Sequence, residues 1–251
     1  MELKRMGRQT VRLSRPPSAL GFGSVAGEKE GGGPLGHCFD YVARNDSFGE
    51  KSWEKAETAM QKKALAIALE QAGLSAEQLD FLLAGDLLNQ CSATSYAVRE
   101  QRTPFWGLYG ACSTMAEGLA LAAMLLDGGF GERIAAMTSS HFCSAERQYR
   151  NPLEYGGQRP PTAQWTATGS GAVVLGREGD GPYLTHITAG RVVDWGITDA
   201  ANMGAAMAPV DGKLAPYPTV WGQSADFLYK NRTVSRRYSV VIHRTGFQKE
   251  E

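Results

Sequence analysis

The stretch Phe105–Leu126, FWGLYGACSTMAEGLALAAMLL, decides how the chain is read. Trp106, Leu108 and Tyr109 are the bulky residues of a buried strand. Gly110 interrupts the run and permits a turn that a side chain would hinder. Met115, Leu119, Ala122, Ala123 and Leu126 then recur at spacings of three and four, which predicts a helix. Ser113 or Thr114 can cap it, and Glu117 in its first turn suits the positive end of the helix dipole. Cys112 therefore sits on a strand-to-helix turn. Its sulfur is expected to face the amides of the helix start, which favour a thiolate, a developing oxyanion or a bound carboxylate. That is the geometry of a nucleophile elbow, although a small packed cysteine fits the same position.

Outward from that stretch, the chain alternates strand and helix. Gln9–Leu13 reads as a short strand. Residues 15–36, RPPSALGFGSVAGEKEGGGPLG, are so rich in Gly and Pro that an irregular loop is expected. They lack the phosphate-binding pattern G-x-x-x-x-G-K-[ST], and no cofactor is expected. A helix is predicted over Ser52–Ala72, capped by Ser52 and ended by Gly73, with Trp53, Ala56, Met60, Ala64, Ile67 and Ala68 on one face. Ser75 is a candidate cap for a second short turn. Leu79–Ala84 is a continuous apolar run of the kind buried in a parallel sheet, with Asp86 and Asn89 just beyond its C-terminal end. Residues 92–102 read as a short helix.

Gly128 and Gly129 end the helix that follows Cys112, and Arg133–Thr138 is the next strand. The long segment 139–171 reads as a loop that gathers His141, Cys143, Glu146, Arg147, Arg150, Glu154, Tyr155, Gln158 and Arg159. Gly169–Gly176, Tyr183–Ile187 and Gly190–Val193 are further strands. The fold class is α/β with a layered sheet, and Asp86, Cys112 and His141 are expected at three neighbouring strand ends opening on one crevice.

Composition sets outer limits. The 26 basic and 26 acidic residues cancel, so no global field draws nucleic acid or an acidic membrane. Cys38, Cys91, Cys112 and Cys143 form no C-x-x-C pair and have no metal-like histidine spacing, so neither a zinc site nor a disulfide framework is expected, and a reducing compartment is. No run of about 18 apolar residues is available for a membrane span. The N-terminus has no secretory apolar region.

Gly-Ala-Cys-Ser-Thr with its Ala-rich helix resembles the nucleophile segment of the thiolase and ketosynthase superfamily. AGDLLNQ (84–90), GACSTMAEGLALAAMLLDGGF (110–130), the segment 139–175 with its AERQYRNPLEYGGQ, and GRVVDWGITDAANMGAAMAP (190–209) together resemble the stage V sporulation protein AD family of endospore-forming bacteria. The resemblance runs from Gly7 to Pro209. It implies a thiolase-like layered α-β-α-β-α fold, of which this chain carries about the first half, in residues 1–210. It also implies binding of pyridine-2,6-dicarboxylic acid (dipicolinic acid) for loading into the forespore. The implied setting is a cytoplasmic protein peripheral to the forespore membrane, homodimeric in the full-length family, beside other proteins of the same transport system. The tail 211–251 does not resemble the family. It reads as the product of a frame change, as a disordered tail, or as a divergent segment with Tyr238–His243 as an edge strand.

A flat dianion of this kind needs guanidinium forks or backbone amides for its carboxylates and an apolar wall for its ring. Arg147, Arg150 and Arg159 offer forks, unless they pair with Glu146 and Glu154 at the surface; Trp106 or Tyr155 offers a wall. His141 reads as a general base or as a hydrogen-bonded structural histidine. Asp86 reads as a ligand contact or a turn cap, and Asn89 as a donor to a carboxylate or to loop backbone. The alternative function is an acyltransferase that uses Cys112 as acyl-accepting nucleophile. The superfamily takes the base for that chemistry from its second half, which favours binding over turnover.

Overall fold

The computed structural model describes residues 4–149, 166–190, 193–198, 220–229 and 232–243. Its centre is one mixed sheet. The strands are β1 (Arg5–Met6), β2 (Thr10–Arg12), β3 (Ser18–Ala26), β4 (Tyr41–Val42), β5 (Phe81–Gly85), β6 (Phe105–Gly107), β7 (Arg133–Ser140), β8 (Gly169–Gly176), β9 (Tyr183–Ala189), β10 (Val193–Ile197), β11 (Val220–Tyr229) and β12 (Arg232–His243). The main path runs β1-β2-β9-β3-β8-β7-β5-β6. Within it β7, β5 and β6 are mutually parallel, and β8 lies antiparallel between β7 and β3. The helices are α1 (Glu28–Gly31), α2 (Trp53–Ala72), α3 (Ser92–Val98), α4 (Thr114–Gly128) and α5 (Phe142–Tyr149).

The two long helices cover opposite faces. Alternation along each strand sends Leu82, Ala84, Ala135 and Met137 toward α2, where Met60, Ala64, Leu65 and Ala68 meet them. Leu83, Ile134 and Ala136 point the other way, onto Met115, Leu119, Ala122, Ala123 and Leu126 of α4. The result is a helix–sheet–helix unit, three of the layers expected. Both helices end as read. Ser52 Oγ accepts from Lys55 N at 3.3 Å, and Gly73 and Gly129 close α2 and α4 in the left-handed conformation.

Four expectations are corrected. The Gly- and Pro-rich stretch is not all loop, since Ser18–Ala26 is an inner strand. Its glycines let α2 approach. A Cβ on Gly21 would lie 2.2 Å from the Ala68 carbonyl oxygen, and one on Gly23 2.2 Å from that of Ala64. The strand at Phe105 is not buried. Among the described residues β6 has β5 as its one neighbour, and Trp106 and Tyr109 are 46% and 50% exposed. The segment after Ser140 begins as helix α5, not as loop. Finally, Tyr238–His243 is not an edge. It is part of β12, which pairs with β9 on one side and, through Val241, with β11 on the other.

Candidate functional site

The parallel strands β5, β6 and β7 deliver Asp86, the Cys112 turn and His141 to the same end of the sheet, as the spacing predicts. The chain leaves β6 through Leu108 and makes a 3₁₀ turn over Ala111–Ser113 before α4 begins. The sharp backbone falls on Ala111, at φ 49°, and not on Gly110. Ser113 and Thr114 fasten that turn instead of capping the helix. Ser113 Oγ donates to the Gly110 carbonyl at 2.7 Å. Thr114 Oγ1 donates to the Ala111 carbonyl at 2.8 Å and accepts from Gly110 N at 3.2 Å. Cys112 is exposed at the tip of the turn.

The loop after β5 is bound to the same turn. Asp86 is buried and fully engaged: Leu88 N, Thr94 N and Thr94 Oγ1 donate to its carboxylate at 2.8, 2.7 and 2.6 Å. Burial pushes its carboxyl up from the ordinary range, against the pull of those donors. Its geometry is that of a loop anchor. Gln90 and Cys91 both take left-handed backbone, at φ 61° and 51°. The Cys91 thiol donates to the Leu108 carbonyl at 3.1 Å. Burial raises the Cys91 pKa, so that thiol stays protonated. Gly85 makes the approach feasible, because a Cβ there would meet the Leu108 oxygen at 1.9 Å. Three of the strained non-glycine positions, Gln90, Cys91 and Ala111, thus surround one junction.

His141 is fully buried. Its Nε2 donates to the Asp46 carbonyl at 2.8 Å and its Nδ1 accepts from Cys143 N at 3.2 Å. Its ring stacks on Phe142 and lies 5.2 Å from the ring of Trp53. Burial lowers its pKa, which keeps the imidazole neutral. With both nitrogens engaged, the ring has the bonding pattern of a hydrogen-bonded structural histidine. Asn89 and Arg147 are described in backbone only, in the turn after Leu88 and in α5. Arg150, Tyr155 and Arg159 lie outside the described residues.

Periodicity alone missed a buried polar network behind this junction. Glu57 and Gln61, one turn apart on the core face of α2, are both fully buried. Ser139 Oγ and Ser144 Oγ donate to the two oxygens of Glu57 at 2.9 and 2.8 Å. Gln61 Nε2 donates to Ser139 Oγ at 2.6 Å and Thr94 Oγ1 at 2.9 Å. Thr94 continues the chain to Asp86. Burial first, then repulsion from Asp86, raise the Glu57 pKa to about 7. The signal was present in the sequence, in two polar residues beside Ala56 and Met60 at the helical spacing of the core face.

Among the described residues no group of His, Cys, Asp and Glu side chains is arranged to hold a metal ion, and no helix is long and apolar enough to cross a membrane.

Comparison with known proteins adds lineage to this geometry. The chain matches the family model for Stage V sporulation protein AD (SpoVAD) over residues 7–214. It is 46% identical over 207 residues to Stage V sporulation protein AD of Bacillus subtilis (strain 168), covering 82% of this chain and 61% of that protein. The chain thus spans about three fifths of the length of the curated relative it matches. Among solved structures it resembles a variant of Xanthomonas campestris OleA, with a TM-score of 0.51 and 11% identity over 92% of this chain and 99% of that one. It also resembles 3-oxoacyl-[acyl-carrier-protein] synthase III from Aquifex aeolicus VF5, with a TM-score of 0.47 and 17% identity over 72% of this chain and 59% of that one. At such identities the OleA likeness bears on the fold alone, and it agrees with the thiolase-like layers described above. The family match and the close relative agree over the region that holds Asp86, Cys112 and His141: the chain belongs to the stage V sporulation protein AD family.

Proposed function

We propose that this chain is the dipicolinic acid-binding component of the system that loads dipicolinate into the forespore during sporulation. Membership of the stage V sporulation protein AD family is the observation that carries this reading. The ligand is a flat ring bearing two carboxylates. Arg147, Arg150 and Arg159 supply guanidinium forks to the carboxylates, Asn89 a further donor, and Tyr155 a wall for the ring. Asp86 acts through the loop it anchors. The exposed Cys112 turn forms the floor, where the start of α4 favours negative charge. Binding without turnover fits the engagement of His141, whose two nitrogens are both in use. The protein works as a homodimer on the forespore membrane, held there by other proteins of the same transport system.

Calorimetric titration with pyridine-2,6-dicarboxylate tests this reading, with benzene-1,3-dicarboxylate as a control that lacks the ring nitrogen. Saturable binding that favours the pyridine compound is expected, and no heat at millimolar ligand overturns it. The acyltransferase reading draws on the exposure of Cys112 beside strained backbone. It requires an acyl adduct on Cys112 after incubation with acyl-CoA, seen by mass spectrometry. We expect none.

A further inference from the structure

Glu57 lies where three parts of the site meet. Through Ser139 it touches the end of β7, through Ser144 the first turn of α5, and through Gln61 and Thr94 the Asp86 loop. We propose that Glu57 is a positioning residue of the ligand site, which fixes the helix bearing Arg147 through Ser144 and fixes it more firmly when its carboxyl holds a proton. This rests on the dicarboxylate-binding reading above for the ligand, though not for the contacts.

The hydroxyls define two arrangements. Ser144 Oγ lies 2.8 Å from Glu57 Oε2 and 3.1 Å from the His141 carbonyl, and its single proton can serve only one of them. When Glu57 is ionised, that proton goes to Oε2. When Glu57 takes a proton from solvent, Oε2–H donates to Ser144 Oγ, and the Ser144 proton turns to the His141 carbonyl. Ser139 need not change. It accepts from Gln61 and donates to Oε1 in both states. The protonated arrangement pairs both Glu57 oxygens and adds a bond within the first turn of α5. The ionised arrangement removes that bond and leaves a buried negative charge.

The charged neighbours oppose ionisation. Asp86 faces Glu57 from the end of β5, and Glu54 acts from one turn back on α2. Among the described side chains, the groups from β7 and α5 are the hydroxyls of Ser139 and Ser144, and the His141 ring is held neutral by burial. The titration falls near neutrality. A ligand that needs α5 held binds better to the protonated form, so ligand and proton bind together.

The test is the pH dependence of the dissociation constant for pyridine-2,6-dicarboxylate between pH 6 and 8, where both ligand carboxylates stay ionised. One linked proton changes affinity by at most about tenfold per pH unit. In the wild-type chain the Kd should rise by about three- to tenfold across this range. In Glu57→Gln, which mimics the protonated form, it should stay within about twofold of its value at pH 6. Ser144→Ala cuts the link to α5 and should flatten the profile in the same way. Equal slopes in wild type and Glu57→Gln overturn the proposal. Amide exchange of Ala145–Tyr149 is read on the same proteins without ligand. Protection should fall from pH 6 to pH 8 in the wild type relative to Glu57→Gln. If neither protein binds the ligand at any pH, the dicarboxylate reading fails, and the exchange profiles alone decide the positioning role: coincident profiles overturn it.

Discussion

Ala111 stands at φ 49°, a conformation that costs an L-residue about 1–2 kcal/mol. It persists because Ser113 and Thr114 hold the turn from both sides. Ala111→Gly should therefore raise stability, by about 0.5–1 kcal/mol after the entropy cost of glycine, as read by urea unfolding. Glu57 makes the opposite kind of strain, electrostatic and dependent on pH. Its folded pKa of about 7 lies above the ordinary carboxyl value of 4.5. The native state then binds more protons than the unfolded chain between those values. The stability contributed by Glu57 is full below 4.5 and is lost as the pH rises through about 7. Glu57→Gln should match the wild type near pH 4.5 and exceed it at pH 8, by up to about 3 kcal/mol, as the melting temperatures diverge. His141 works in the other direction. Burial depresses its pKa, so its contribution is present above the ordinary histidine range and lost as the pH falls. Comparing Glu57→Gln with wild type at each pH cancels that second effect.

Strand β3 and helix α2 show how glycines can make an inner strand. Gly21 and Gly23 turn toward α2, and its backbone passes so close that a methyl group on either would overlap a carbonyl oxygen. Gly23→Ala should destabilise the chain by at least about 3 kcal/mol, since a backbone clash cannot be relieved by rotating a side chain. The same substitution at Gly171 of β8, where nothing lies within 4 Å, should change stability by less than about 1 kcal/mol. Paired chemical denaturation of the two variants checks the contrast. The polar residues of α2 belong to the same comparison. Glu57 and Gln61 reduce the apolar area the helix brings to the core, and in return they tie it to the end of the sheet where Asp86 and Ser139 emerge.

Strand β6 ends the described sheet, with β5 its one paired neighbour among the described residues and with Trp106 and Tyr109 half exposed. Phe22 on β3 is 57% exposed as well. An edge strand carrying an exposed large aromatic is a template for pairing with another chain. The protein should therefore associate at micromolar concentration. Trp106→Lys, which places a charge on that edge, should shift the sedimentation profile toward smaller species without lowering the melting temperature. A wild-type chain that sediments as a monodisperse monomer would remove the premise.

Local pattern was enough for the elements whose character repeats within a few residues. The core stripes of α2 and α4, their glycine ends, the apolar run of β5 and the strand Gly169–Gly176 all follow from periodicity and from the preference for glycine just past a helix's last turn. The Cys112 turn and the meeting of three strand ends followed too, because parallel strands expose their C-terminal loops together. Other features depended on partners far away in the chain. Whether Gly21–Gly23 is loop or strand depends on how near α2 comes. Whether Trp106 is buried depends on which strand is last in the sheet, and no neighbouring residue carries that information. His141 offered the same letter for a base or a brace, and its bond to the Asp46 carbonyl, 95 residues earlier, could not be read from its neighbours in sequence. The Glu57 network likewise joins residues up to 87 positions apart. Hydrogen-bond satisfaction of a buried polar group is a property of the packed interior, so only the folded chain could reveal which polar residues anchor the site.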